Sequence, residues 1–220
     1  MSNPRRIGAV LYPGFEMLDT FGPLEMYSVL GKDQVEIVVV AEQAGPVASA
    51  LAGDGPLAPK VIADAGFEDA PSLDIVLLPG GFGTFAELEN TAMLEYLRRA
   101  AESAEIVTSV CTGSALLAKA GLLDGMKATT NKQFFALARM QSAAVEWVEA
   151  ARWVDSGKFV TSSGVSAGMD MTLAVIARVW GEDAAEEAAR FAEYSWQRDP
   201  ADDPFIGDLD EGSRALGLVQ

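Results

Sequence analysis

With one cysteine and no histidine, the chain must build any nucleophilic or acid–base chemistry from sulfur, carboxyl and hydroxyl groups. Cys111 closes the apolar run Ile106-Val107-Thr108-Ser109-Val110 and leads at once into Thr112-Gly113-Ser114 and a helical stretch. A thiol at a strand-to-helix turn without a loop resembles a nucleophile elbow, which projects a side chain above a sheet. Partial positive charge at the start of the next helix favours thiolate over thiol. A free cysteine is more often a small packed hydrophobe, but this position favours the nucleophile. Asp19 lies between Leu18 and Phe21 in an apolar stretch; among 32 acidic residues a solvated carboxylate is its plainer account. If Asp19 hangs over the crevice that holds Cys111, the two cannot comfortably both be charged, and they would share one proton and titrate jointly. Gly80-Gly81 offer either oxyanion-type N–H donors or an ordinary positive-φ turn. Thr112 and Ser114 are helix caps or donors to the site, Thr112 being the better donor.

Much else is excluded. Without histidine there is no Ser-His-Asp triad, Cys-His pair or imidazole zinc site. One cysteine leaves neither an internal disulfide nor a thiolate metal cluster, so no metal is expected and a reducing cytoplasm fits best. Gly81-Phe82-Gly83 does not complete a dinucleotide fingerprint and no Walker lysine follows, so no nucleotide cofactor is expected. Sixteen Lys+Arg against 32 Asp+Glu, a formal charge of −16, argue against nucleic-acid and anionic-membrane partners. No apolar window has the length of a membrane span or a signal-peptide core.

The elements that must position these groups follow from hydrophobic periodicity. Apolar runs at 7–12, 35–41, 74–81 and 105–111 read as strands of a parallel sheet covered on both faces. Residues 15–30 read as a helix broken or kinked at Gly22-Pro23, and 44–66 as a hairpin or irregular excursion. Helices are expected over 91–104, from 112 to a C-cap at Gly121, and over 132–142, 169–181 and 184–196. Residues 150–164 read as a hairpin turning at Asp155-Ser156-Gly157. An irregular surface tail runs over 197–220. One α/β domain over 1–220 is the expectation.

The segments LYPGFEMLDTFGP, DIVLLPGGFGT, IVTSVCTGSALLAKAGLLDGMKATT, TSSGVSAGMDMTLAVI and EYSWQRDPADDPF together resemble the DJ-1/PfpI superfamily. Within it the chain is most similar to the isocyanide hydratase branch, through its LD-x-x-GP aspartate and CTGS elbow. The resemblance implies a flavodoxin-like, doubly wound, mostly parallel sheet and a homodimer. It puts the nucleophile on Cys111, its acidic partner on Asp19, the orienting threonine on Thr112 and an oxyanion-type backbone donor on Gly81. Many relatives read ATTHW where this chain has Ala128-Thr129-Thr130-Asn131-Lys132, so Asn131 replaces an imidazole. The implied activity is cofactor-free hydration of an isocyanide, a small electrophilic substrate, to an N-substituted formamide through a Cys111 thioimidate. The alternatives are glyoxalase- or deglycase-like action on α-oxoaldehydes, or a non-enzymatic cysteine redox sensor. A regulator's ligand domain is disfavoured, since no basic helical extension follows within Gln220. Phe82, Phe85, Trp196 and Phe205 are candidates for an apolar pocket, and equally for core or dimer interface.

Overall fold

Alternating apolar and amphipathic stretches build a layered sheet, seen in a computed structural model that describes residues 3–49 and 58–219. Strand β1 (Arg5–Val10) leads through α1 (Met17–Ser28) to β2 (Val35–Ala41), a side pair β3 (Gly45–Ala48) and β4 (Lys60–Ala63), then β5 (Ala65–Gly66) and β6 (Ile75–Leu78). Next come α2 (Thr84–Glu87), α3 (Thr91–Ser103), β7 (Ile106–Ser109), α4 (Gly113–Lys119), β8 (Lys127–Ala128), α5 (Phe135–Arg139) and β9 (Glu146–Trp147). Strands β10 (Trp153–Ser156) and β11 (Phe159–Ser162) precede α6 (Ala167–Trp180), α7 (Glu182–Phe191) and the short α8 (Glu211–Ala215).

Seven strands pair in the order β10-β11-β7-β6-β1-β2-β5, parallel except where β10 meets β11. This is the expected flavodoxin-like arrangement, with the strand order reversing between β1 and β6. Ligands gather beyond the carboxyl ends of strands at such a switch point, because the connections there leave toward opposite faces. Strands β6, β7 and β11 are buried along their whole length, which explains their unbroken apolar character. In β6, Val76 and Leu78 join one core with Met93 and Leu97 of α3 and Leu116 of α4. Ile75 and Leu77 face the opposite core with Tyr27 of α1 and Met171 and Ile176 of α6. Each large side chain contributes roughly 1.5–3 kcal/mol by leaving water, so both faces hold the register of the strands that end at the crevice. Among the described residues, no helix is long and apolar enough to cross a membrane.

Several local expectations need correction. Helix α1 runs unbroken through Pro23. Gly22 serves close packing and not a break: a Cβ there would stand 2.8 Å from Cγ of Met169 on α6. The helix expected over 132–142 contracts to Phe135–Arg139, because Lys132 is drawn inward to the Ala151 carbonyl at 2.6 Å. The hairpin's tight turn falls on Gly157-Lys158, with Ser156 paired to Phe159 and Gly157 at φ +82°. The 44–66 segment contains the antiparallel β3–β4 pair; residues 50–57 between them lie outside the described residues. The C-terminal segment is neither wholly irregular nor all surface. It carries a 3-10 turn at Ile206–Asp208 and α8, and buries Asp203, Asp210 and Ser213.

Candidate active site

The abrupt passage from β7 to α4 puts Cys111 at φ +57°, a conformation costing a non-glycine residue of order 1–3 kcal/mol. The segments that follow β11 and β8 hold it there. The Cys111 N–H donates to the Ser163 carbonyl at 3.0 Å, and its own carbonyl accepts from Thr130 Oγ1 at 2.9 Å. The loop after β6 comes up against this turn because Gly80 has no side chain; a Cβ would lie 2.5 Å from Thr112 N and 3.0 Å from Cys111 Cβ.

Asp19 enters from α1 and is fully buried. Its Oδ2 accepts the Gly80 N–H at 2.8 Å. Its Oδ1 is sealed from solvent without a hydrogen-bond partner, and the Cys111 thiol is near enough to favour the ionised carboxyl group. Burial pushes Asp19 from its ordinary 3.8 up to about 8, reinforced by the charge of Glu16 and opposed by the Gly80 N–H and the thiol. Burial, then the negative charge of Asp19, pushes the Cys111 thiol up too. The thiolate-favouring field expected of the helix start is therefore outweighed by desolvation. What favours the thiolate is the backbone N–H of Thr112 and of Val165, together with the side chain of Asn131.

This assignment changes two expected roles. The Gly81 N–H is turned onto Thr112 Oγ1 at 3.1 Å, so it supports the loop and does not face an open oxyanion position. The Thr112 hydroxyl lies 2.9 Å from Thr84 Oγ1 and, less closely, 3.4 Å from the Gly81 carbonyl. Thr84 Oγ1 is in turn 3.0 Å from the Tyr12 hydroxyl, which donates to the Pro79 carbonyl at 2.8 Å. Because that carbonyl only accepts, the protons run from Thr112 to Thr84 to Tyr12. Thr112 therefore meets the sulfur with its backbone N–H, and its hydroxyl ties down the loop. Ser114 Oγ donates to the Cys111 carbonyl at 3.3 Å.

Cys111 is 7% exposed, and that exposure opens into a cavity of about 310 Å³. Phe82, Phe85 and Phe134 form its apolar wall, while Glu16, Asn131 and Gln133 supply polar edges. Phe134 meets Phe82 edge-on at 5.8 Å and Phe85 at 6.5 Å between ring centres. Of the four aromatic candidates, Phe82 and Phe85 line the cavity and Phe205 lines a smaller neighbouring one. Trp196 packs against the α6 side of the sheet with Arg198 over its ring. Phe134, Gln133, Val165 and Glu16 were missed. The Phe134-Phe135 pair was a signal for the first; Glu16 and Gln133 fall in stretches read as helices but stand just before the helices that form, and Val165 lies in a turn with no periodicity to read.

The buried carboxyl group has a consequence for stability. Unfolded Asp19 ionises near 3.8 and folded Asp19 near 8, so between these values the folded chain holds the extra proton. Its contribution is complete below pH 4, falls by about 1.4 kcal/mol per pH unit across that window, and is lost above the folded value. Asp19→Asn is therefore expected to raise the melting temperature at pH 8 by more than at pH 5. Melts showing the same change at both values would contradict the buried, up-shifted carboxyl.

A profile of the DJ-1/PfpI family matches residues 5–178. The isonitrile hydratase of Pseudomonas putida is 34% identical over 190 residues, covering 86% of this chain and 78% of that protein. The HTH-type transcriptional regulator GbdR of Pseudomonas aeruginosa is 32% identical over 187 residues, 82% of this chain but 48% of the regulator, so the likeness spans about half of that protein. Among solved structures, a THiJ/PfpI family protein from Pseudomonas syringae superposes with a TM-score of 0.77 at 30% identity, covering 98% of this chain and 86% of that one.

Proposed function

The chain belongs to the DJ-1/PfpI family, and from that premise we propose that it is a cofactor-free hydratase converting isocyanides to N-substituted formamides. The observation that carries the reading is a thiol held at a strained elbow against a buried, proton-holding carboxyl group, at the floor of an aromatic cavity. The terminal carbon of an isocyanide is electrophilic toward sulfur and must gain a proton as the C–S bond forms. Thiolate Cys111 supplies the bond and protonated Asp19 the proton, giving a thioimidate. The ionised Asp19 then takes a proton from water as the water oxygen adds to the same carbon. Expulsion of sulfur, with proton transfer to nitrogen, releases the formamide. The Thr112 and Val165 N–H groups and the Asn131 amide hold the sulfur's negative charge before attack and after release. Asn131 thus replaces an imidazole with a donor that cannot take up a proton. The likeness to an isonitrile hydratase supports the same reaction class.

The protein is proposed to act in a reducing cytoplasm as a homodimer. Leu18 and Phe21, both exposed on α1, form an apolar face that a second copy would cover. Incubation with an aryl isocyanide is expected to yield the matching formamide, read by chromatography, while methylglyoxal offered in parallel is left unconsumed. Consumption of methylglyoxal without formamide formation would replace this reading with the glyoxalase one. Inertness to both electrophiles, with a peroxide-driven change of conformation, would replace it with a redox sensor.

A further inference from the structure

The irregular segment 131–134 brings Phe134 to the cavity wall beside Phe82 and Phe85, and it is held from outside by the C-terminal residues, beyond the 5–178 stretch that the family profile matches. The Asp210 N–H donates to the Lys132 carbonyl at 2.8 Å and the Ser213 N–H to the Gln133 carbonyl at 2.8 Å. Asp210 Oδ1 accepts the Ala136 N–H at 2.6 Å, and its Oδ2 accepts from Arg139 at 3.1 Å. Buried Lys132 lies 3.4 Å from buried Asp203. Between these fastenings α8 presses Gly212 against the Phe134 ring. A Cβ there would stand 2.7 Å from both Cε1 and Cζ of that ring and 3.1 Å from the Gln133 carbonyl. At φ outside the left-handed range, Gly212 is not required by its backbone; space for Phe134 is what it provides. The Phe134 N–H in turn donates to Asn131 Oδ1 at 3.0 Å, which leaves the amide nitrogen of Asn131 for the sulfur.

We propose that Gly212 is a specificity-determining positioning residue: its missing side chain lets Phe134 lie where it bounds the cavity, so the C-terminal segment sets the size of the group accepted beside Cys111. The proposal rests on the reading that this cavity receives the substrate. It acts on discrimination between bulky and small reactants more than on the chemistry, because Gly212 touches neither the sulfur nor Asp19.

Alkylation of Cys111 tests it without isocyanide chemistry, using two reagents with one reactive group: iodoacetamide, and its anilide carrying a phenyl ring. In Gly212→Ala the ring of Phe134 is pushed toward Phe82 and Phe85, and the rate ratio of anilide to iodoacetamide is expected to fall about tenfold, the scale of one methylene in an apolar pocket. In Phe134→Leu the ratio rises, and adding Gly212→Ala to it changes nothing further. An unchanged ratio in Gly212→Ala, or an equal fall with and without Phe134, would overturn the proposal. If Gly212→Ala alone does not fold, recovery of the fold and of the Phe134→Leu ratio in the double variant supports it, and failure to recover overturns it. A chain inert to isocyanides can pass this test and an active hydratase can fail it, so the two readings fall separately.

Discussion

Cys111→Ala is expected to lower turnover of an aryl isocyanide by roughly 10⁴-fold or more, since no other group can form the covalent intermediate. The chain holds no second thiol and no imidazole to substitute. Alanine meets the same backbone demand as cysteine at φ +57°, and the bonds from Cys111 to Ser163 and Thr130 are made by main-chain atoms. The fold should therefore survive, and circular dichroism and a thermal melt will show that it has. Substantial formamide production by the folded variant would end the proposed mechanism. Mass spectrometry of the wild type, quenched during turnover, should find Cys111 heavier by the mass of one isocyanide.

Asp19→Asn is expected to cost about 10²–10⁴-fold in kcat, the range for a positioned acid–base group. Asparagine can still accept the Gly80 N–H but has no proton to give to carbon and cannot take one from water. The pH profile separates this role from a structural one. With Asp19 pushed up to about 8 and the thiol pushed up as well, the pair holds two protons at pH 6. It passes to a one-proton state as pH rises through about 8, and transfer of the remaining proton from the thiol to Asp19 within that state gives the thiolate–acid pair that can attack and protonate. Activity and iodoacetamide labelling of the wild type should both climb through that pH, and activity should fall again once the second proton leaves. In Asp19→Asn the step near pH 8 disappears from the labelling curve, and thiol ionisation is eased by loss of the neighbouring charge. A step that persists there in the variant belongs to another group and would remove Asp19 from the mechanism.

These expectations refine a shared-proton picture already legible from residue types alone. Sulfur and carboxylate without histidine implied joint titration. Burial puts the loss of the first proton well to the alkaline side of a free carboxyl group's range, because both groups lose water together. Asn131 was visible only as a departure from an imidazole-bearing pattern; in the folded chain it lines the cavity with Cys111, and its side chain favours the thiolate. Trp196 was indistinguishable from Phe82 and Phe85 as a wall candidate, since aromatic composition carries no direction.

What the chain order determined was the sheet. Apolar runs of strand length alternating with amphipathic segments can bury both faces only as parallel strands between helices. A thiol at the end of one strand and a carboxyl group after another must then approach the same rim. Hydrophobic periodicity is local and repeats, so it can be read along the chain. Tertiary structure decided which N–H groups point at sulfur, how far burial raises the carboxyl group, and how residues 203–213 come to brace a wall built some 70 positions earlier. Desolvation and hydrogen-bond direction depend on every neighbour in space, and those neighbours come from segments whose spacing along the chain holds no record of their meeting.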